Sequence, residues 1–162
     1  MRWTISQGHW PVEPRPTADV ALMAHVGYDI EAFAAFLDAA EAAADRCVVV
    51  MRTSAGNRAS HLLWPEIHGE RRIPYPMLQE LLVLLVARGV VPEVTLVDRG
   101  DWGYRSRSQL LESVRRLLGL RPGSDKDLRL GRLIEERAVE RDGEWELDWS
   151  PMRDGVVTWR VS

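Results

Sequence analysis

The sequence predicts an α/β fold, a mainly parallel sheet flanked by helices, in a single domain over residues 1–162. Three observations predict it. Ala18-Asp-Val-Ala-Leu-Met-Ala-His-Val26 and Arg46-Cys-Val-Val-Val-Met-Arg52 are nearly unbroken apolar runs, the texture of strands buried on both faces. Between them Ile30, Phe33, Phe36, Leu37 and Ala40 recur at helical spacing, with Glu31, Asp38 and Glu41 off that face. Strand, helix and strand within roughly 35 residues make a βαβ unit, whose crossover is right-handed.

The remaining elements follow in order. Residues 3–7 alternate weakly and read as a strand stopped by Gly8; Pro11, Pro14 and Pro16 then impose an extended connector. Asp29 is placed to cap the helix at residues 30–44. After the strand at 46–52 comes a polar loop, Thr53-Ser-Ala-Gly-Asn-Arg58. Residues 61–68 suit a short helix, with Pro65 in its first turn. Residues 77–87 read as a helix apolar on most sides, hence well covered, and closed by Gly89. Residues 92–97 form a further strand. Ser106 or Ser108 caps a helix bearing Leu110, Leu111, Val114, Leu117 and Leu118, and Ser124 caps another bearing Leu128, Leu130, Leu133 and Ile134. Arg141-Asp-Gly143 is a turn, residues 145–149 alternate as a strand or ribbon, and 156–161 are the last strand.

Composition narrows the function classes. Apolar residues make up 46% of the 162 residues, enough for one packed core. Lys plus Arg number 21 against 24 Asp plus Glu, a formal charge of −3, so no broadly basic nucleic-acid binder is expected. No apolar run reaches the eighteen or so residues of a membrane span, and no membrane partner is expected. Cys47 is the sole cysteine, which excludes an internal disulfide and a multi-cysteine metal site and suits a reducing cytoplasm.

Candidate site residues cluster at strand ends, where open α/β sheets bind ligands. His25 ends a buried strand and is a candidate general base or substrate hydrogen-bonder, or else a histidine satisfied by backbone groups. Tyr28 lines the same mouth or covers the helix start. Arg52, Asn57 and Arg58 flank the loop after the second buried strand; they suit an anionic substrate, or are ordinary loop polars. Trp64 offers an aromatic wall for a flat or cationic ligand, or simply packing. His61 and His68 stand seven residues apart without the further donors a zinc site needs, so no metal is expected. Cys47 lies inside an apolar strand, a poor place for a nucleophile.

The order βαβ, buried helix, strand, two amphipathic helices and final strand resembles the second half of a class I S-adenosylmethionine-dependent methyltransferase, a Rossmann-like fold. The resembling segments are Ala18-Asp-Val-Ala-Leu-Met-Ala-His-Val26 with Gly27-Tyr28 and an Asp-Ile helix start, Arg46-Cys-Val-Val-Val-Met, Gly89-Val-Val-Pro-Glu-Val, and residues 156–161. The resemblance implies that the last strand runs antiparallel between the strands at 46–52 and 92–97. It also implies that Gly8, His9 and Trp10 form an adenine-flanking turn, with His25 and Tyr28 facing the same cofactor cleft. The family's glycine-rich loop and ribose-holding acid have no counterpart in this chain. The expectation is therefore an incomplete methyltransferase-like fold, inactive by itself, that binds little or no S-adenosylmethionine until a cofactor-binding half completes it. The alternative is a non-catalytic Rossmann-like half-fold that associates with itself or a partner. With no strand to shield residues 18–26 except 3–7, a homodimer is expected around the side of the sheet running from Met1 to Val26.

Overall fold

The computed structural model describes residues 5, 7–53, 58–98, 103–147 and 153–161, residues 58–60 by their backbone only. They form β1 (Ala18–Ala24), α1 (Phe33–Glu41), β2 (Ala44–Arg52), α2 (Arg58–His68), α3 (Leu78–Ala87), β3 (Glu93–Asp98), α4 (Arg107–Leu117), α5 (Asp125–Arg137), β4 (Ala138–Arg141), β5 (Glu144–Leu147) and β6 (Arg153–Arg160). The chain folds as two compact units, one of residues 1–53, 76–97 and 154–162, the other of residues 54–75 and 98–153.

The first unit carries a four-stranded sheet in the order β1-β2-β6-β3. β1 and β2 run parallel, as expected of these two strands, and β6, the last strand, runs antiparallel to β2, so the sheet is mixed. The register decides which side chains meet the helices. Ala21 lies opposite Cys47 and Met23 opposite Val49; Val49 in turn faces Val157, and Cys47 faces Trp159. These residues share one face of the pleat and pack with Leu37 and Ala40 of α1 and Leu78, Leu81 and Leu85 of α3. Burying each such leucine contributes roughly 1.5–3 kcal/mol. Gly155 permits the close seat of α3, because a Cβ there would stand 2.6 Å from Leu78 Cδ2.

The opposite face differs from the two-sided burial that the apolar run at 18–26 predicts. Val20 is 48% and Leu22 66% exposed, since β1 is the edge strand and these side chains alternate away from α1 and α3. α3 is likewise less covered than expected, with Val83 and Val86 exposed.

Local chemistry shifts several boundaries. Ala32, not Asp29, precedes the first helical residue, and without a side-chain cap α1 shortens to nine residues. Its C-terminal side is drawn into the sheet, where Ala18 N–H donates to Ala43 O at 2.9 Å. Pro65 lies well inside α2, which begins at Arg58, so the expected first-turn position is wrong. α3 ends in a Schellman motif: Val90 N–H reaches Leu85 O, Gly89 N–H reaches Val86 O, and Gly89 supplies the required φ of 79°. Of the expected strand at 3–7, only Ile5 and Gln7 are described, and neither is in a strand.

In the second unit Leu63 and Ile67 of α2 pack with Leu110 and Val114 of α4, Leu130 and Ile134 of α5, and Leu147 of β5. Ser106 caps α4 by accepting from Gln109 N–H, as its sequence position predicts. Ser124 caps α5 by accepting from Asp127 N–H, and the Asp127 carboxylate accepts from Gly123 N–H at 2.8 Å and from Arg115 Nε at 2.7 Å. β4 and β5 pair as a separate antiparallel ribbon; β4, unpredicted, continues directly from α5, and the expected strand residues 148–149 lie outside the described residues.

Candidate functional site

The carboxyl end of β1 carries a sharp turn. His25 continues the ladder through its N–H, which donates to Val50 O at 2.9 Å, but its φ is 54°. A non-glycine residue in this region costs roughly 1–2 kcal/mol and persists where its surroundings hold it. Two residues on, Gly27 has φ 91°, and a Cβ there would run into the Phe33 ring. The turn brings Tyr28 back beneath His25.

Two hydrogen bonds then link the elements. The Arg52 backbone N–H at the end of β2 donates to Tyr28 Oη at 3.1 Å, and Tyr28 Oη lies 3.2 Å from His25 Nδ1. Oη accepts from Arg52 and keeps its own proton to donate to Nδ1 in the tautomer that carries the imidazole proton on Nε2. Nε2 faces Asp154 Oδ2 at 3.6 Å. That separation exceeds a hydrogen bond and fits an ion pair once the imidazole is protonated. Asp154 is buried, whereas the His25 side chain is 39% exposed. His25, Tyr28, Arg52 and Asp154 thus gather at the carboxyl ends of the parallel pair. A proton relayed through Tyr28 to Nδ1 would create an imidazolium facing a carboxylate, which is the arrangement of a general base with a charge partner.

Asp154 carries no signal in Met152-Arg-Asp-Gly155; it joins the cluster because the antiparallel register sets it opposite Arg52. The other expected site residues fall elsewhere. Trp10 packs against Phe36 at 6.1 Å between ring centroids and donates its indole N–H to Phe36 O, so its ring is committed to the core. His9 is exposed, and a Cβ at Gly8 would make only an ordinary contact with Val12. Asn57 lies outside the described residues, as does the Arg58 side chain. Trp64 stacks on His68 at 4.0 Å with the Arg72 guanidinium 4.9 Å from its ring, all within the second unit.

His68 is committed to structure, since its Nε2 donates to Leu118 O at the end of α4 and Lys126 Nζ donates to its Nδ1. No group of three or more potential metal ligands occurs among the described residues. Cys47 is fully buried, and burial, followed by the nearby Glu41 charge, pushes its thiol up to about 11. Among the described residues no helix is long and apolar enough to cross a membrane. The sequence matches no family model and no curated protein.

Proposed function

We propose that the chain is the substrate-side half of an S-adenosylmethionine-dependent methyltransferase, which moves a methyl group to an acceptor when a cofactor-binding half completes it. The observation that carries this reading is the His25, Tyr28 and Asp154 cluster at the carboxyl ends of β1 and β2. The strand order supports it at the level of fold, since β6 lies antiparallel between β2 and β3, where the resemblance puts the last strand.

The chain's own residues do not fit the cofactor unaided. No G-x-G-x-x-G occurs in the sequence, and Asp98, the acid at the end of β3, is engaged by Arg153 Nε at 2.7 Å. The cofactor would supply the activated methyl group. The work left to this chain is to orient the acceptor, exclude water and receive the proton that a hydroxyl or amine acceptor releases. In this reading Tyr28 Oη and His25 Nδ1 take up that proton, and Asp154 stabilises the imidazolium.

Calorimetry with S-adenosylmethionine tests the reading. The 162-residue chain should give no micromolar binding, whereas the chain joined to a cofactor-binding half should transfer labelled methyl groups to an extract of small molecules. His25→Ala should lower that transfer without lowering the melting temperature. Micromolar binding by the chain alone would refute the division of labour, and absence of transfer by the joined protein would refute the activity.

One observation favours a second reading, a self-associating module without catalysis. Among the described residues β1 is an edge strand with one edge unpaired and Val20 and Leu22 exposed beside it, and such edges template pairing.

A further inference from the structure

We infer that the amino end of β2 carries a second binding site, for the phosphate group of a small polyol phosphate. The register places Arg46 of β2 directly opposite Arg160 of β6. Directly opposed residues project from the same face, and like charges so placed repel. Arg88, Arg115 and Arg137 each hold a carboxylate at 2.6–2.7 Å. Among the described residues, the guanidiniums of Arg46 and Arg160 make neither an ion pair nor a hydrogen bond. Two unneutralised guanidiniums on adjacent strands form an anion receptor: each offers a planar fork of donors, and a tetrahedral dianion presents enough oxygens for both.

The pair lines a groove of about 390 Å³, small enough to limit the ligand to a small molecule. Thr158, two residues from Arg160 along β6, brings a hydroxyl to the same face. Val90 and Val91, after α3, close one side, and Glu93 at the start of β3 contributes the remaining charged group. Glu93 selects the ligand's body. A bare anion meets its repulsion, whereas a phosphate ester with neighbouring hydroxyl groups can donate hydrogen bonds to it. Both arginines sit on hydrogen-bonded strands, which hold their spacing better than loops do. From Arg46 to Arg52 β2 rises roughly 20 Å, so this groove is separate from the His25 cluster and the inference does not depend on methyl transfer.

Calorimetry of the full chain at low ionic strength, with glucose 6-phosphate and with inorganic phosphate as probes, tests the site. Saturable one-to-one binding is expected for both, with the sugar phosphate about fivefold tighter, the size of one added hydrogen bond. Arg46→Met and Arg160→Met should each weaken both probes about tenfold or more without lowering the melting temperature, because both side chains are exposed and either substitution relieves their mutual repulsion. Arg46→Lys should fall between, keeping the charge but losing the fork. Glu93→Gln should tighten inorganic phosphate and narrow the preference between the probes. No saturable heat with either probe, or binding that survives both arginine substitutions, overturns the site. A sugar-phosphate preference unchanged in Glu93→Gln overturns the assignment of the ligand's body.

Discussion

Single residues here are governed by what their side chains already hold. Cys47 sits in the core with its thiol raised to about 11, so almost no thiolate exists at neutral pH. A disulfide-exchange reagent at pH 8 should therefore label it only as fast as the first unit unfolds, and addition of urea should accelerate labelling in step with loss of helical signal. Fast labelling in native buffer would contradict the buried position. Asp127 makes the opposite case. The Arg115 guanidinium, aided by Gly123 N–H and opposed by burial, holds its carboxyl below the usual range. A depressed folded value means stability that is complete above the unfolded carboxylate range, near pH 3.9, and lost as pH falls through the folded value. Asp127→Asn should cost about 1–3 kcal/mol at neutral pH, the worth of hydrogen bonds to a charged group. The deficit against the parent should shrink in acid denaturation below about pH 4.

At the scale of elements, the turn after β1 determines whether the His25 cluster exists. Gly27 is needed for its φ of 91° and for the Phe33 ring that fills the place of a Cβ. Gly27→Ala should cost about 1–3 kcal/mol through strain and overpacking. It should also separate Tyr28 from His25, detectable as a changed Tyr28 ring signal in NMR spectra, whereas a change confined to stability would place the cluster's geometry under other control. The helices are legible wherever a polar residue caps them: Ser106 and Ser124 start α4 and α5 where they stand in the sequence. Both ends of α1 escape a local reading. Asp29 suggests a cap, yet the turn after β1 leaves Ala32 non-helical and the sheet recruits the residues after Glu41.

For the whole molecule the open flank of the first unit matters most. The β1 edge and the exposed Val20 and Leu22 beside it lead to an expected homodimer around residues 1–26. Sedimentation at tens of micromolar should give twice the monomer mass, and removal of residues 1–16 should cause aggregation. A stable monomer, or a soluble folded truncation, would show that this flank needs no cover.

The sequence alone determined the local choices: the apolar runs of β1 and β2, the helix starts at Ser106 and Ser124, the turns at Gly89 and Gly143, and the inertness of Cys47. Each depends on neighbours within a few positions, where propensity, capping and periodicity act. It also singled out His25 and Tyr28, because strand ends and tight turns leave local marks. Only the tertiary structure decided that Asp154 joins them, that Arg46 confronts Arg160, and that one face of β1 is left to solvent. The first two outcomes depend on register between strands more than a hundred residues apart in the chain, as with Arg46 and Arg160, and the third on the place of β1 at the edge of the sheet. A one-residue slip in such a register sends every side chain to the other face, and no local pattern in either strand encodes it.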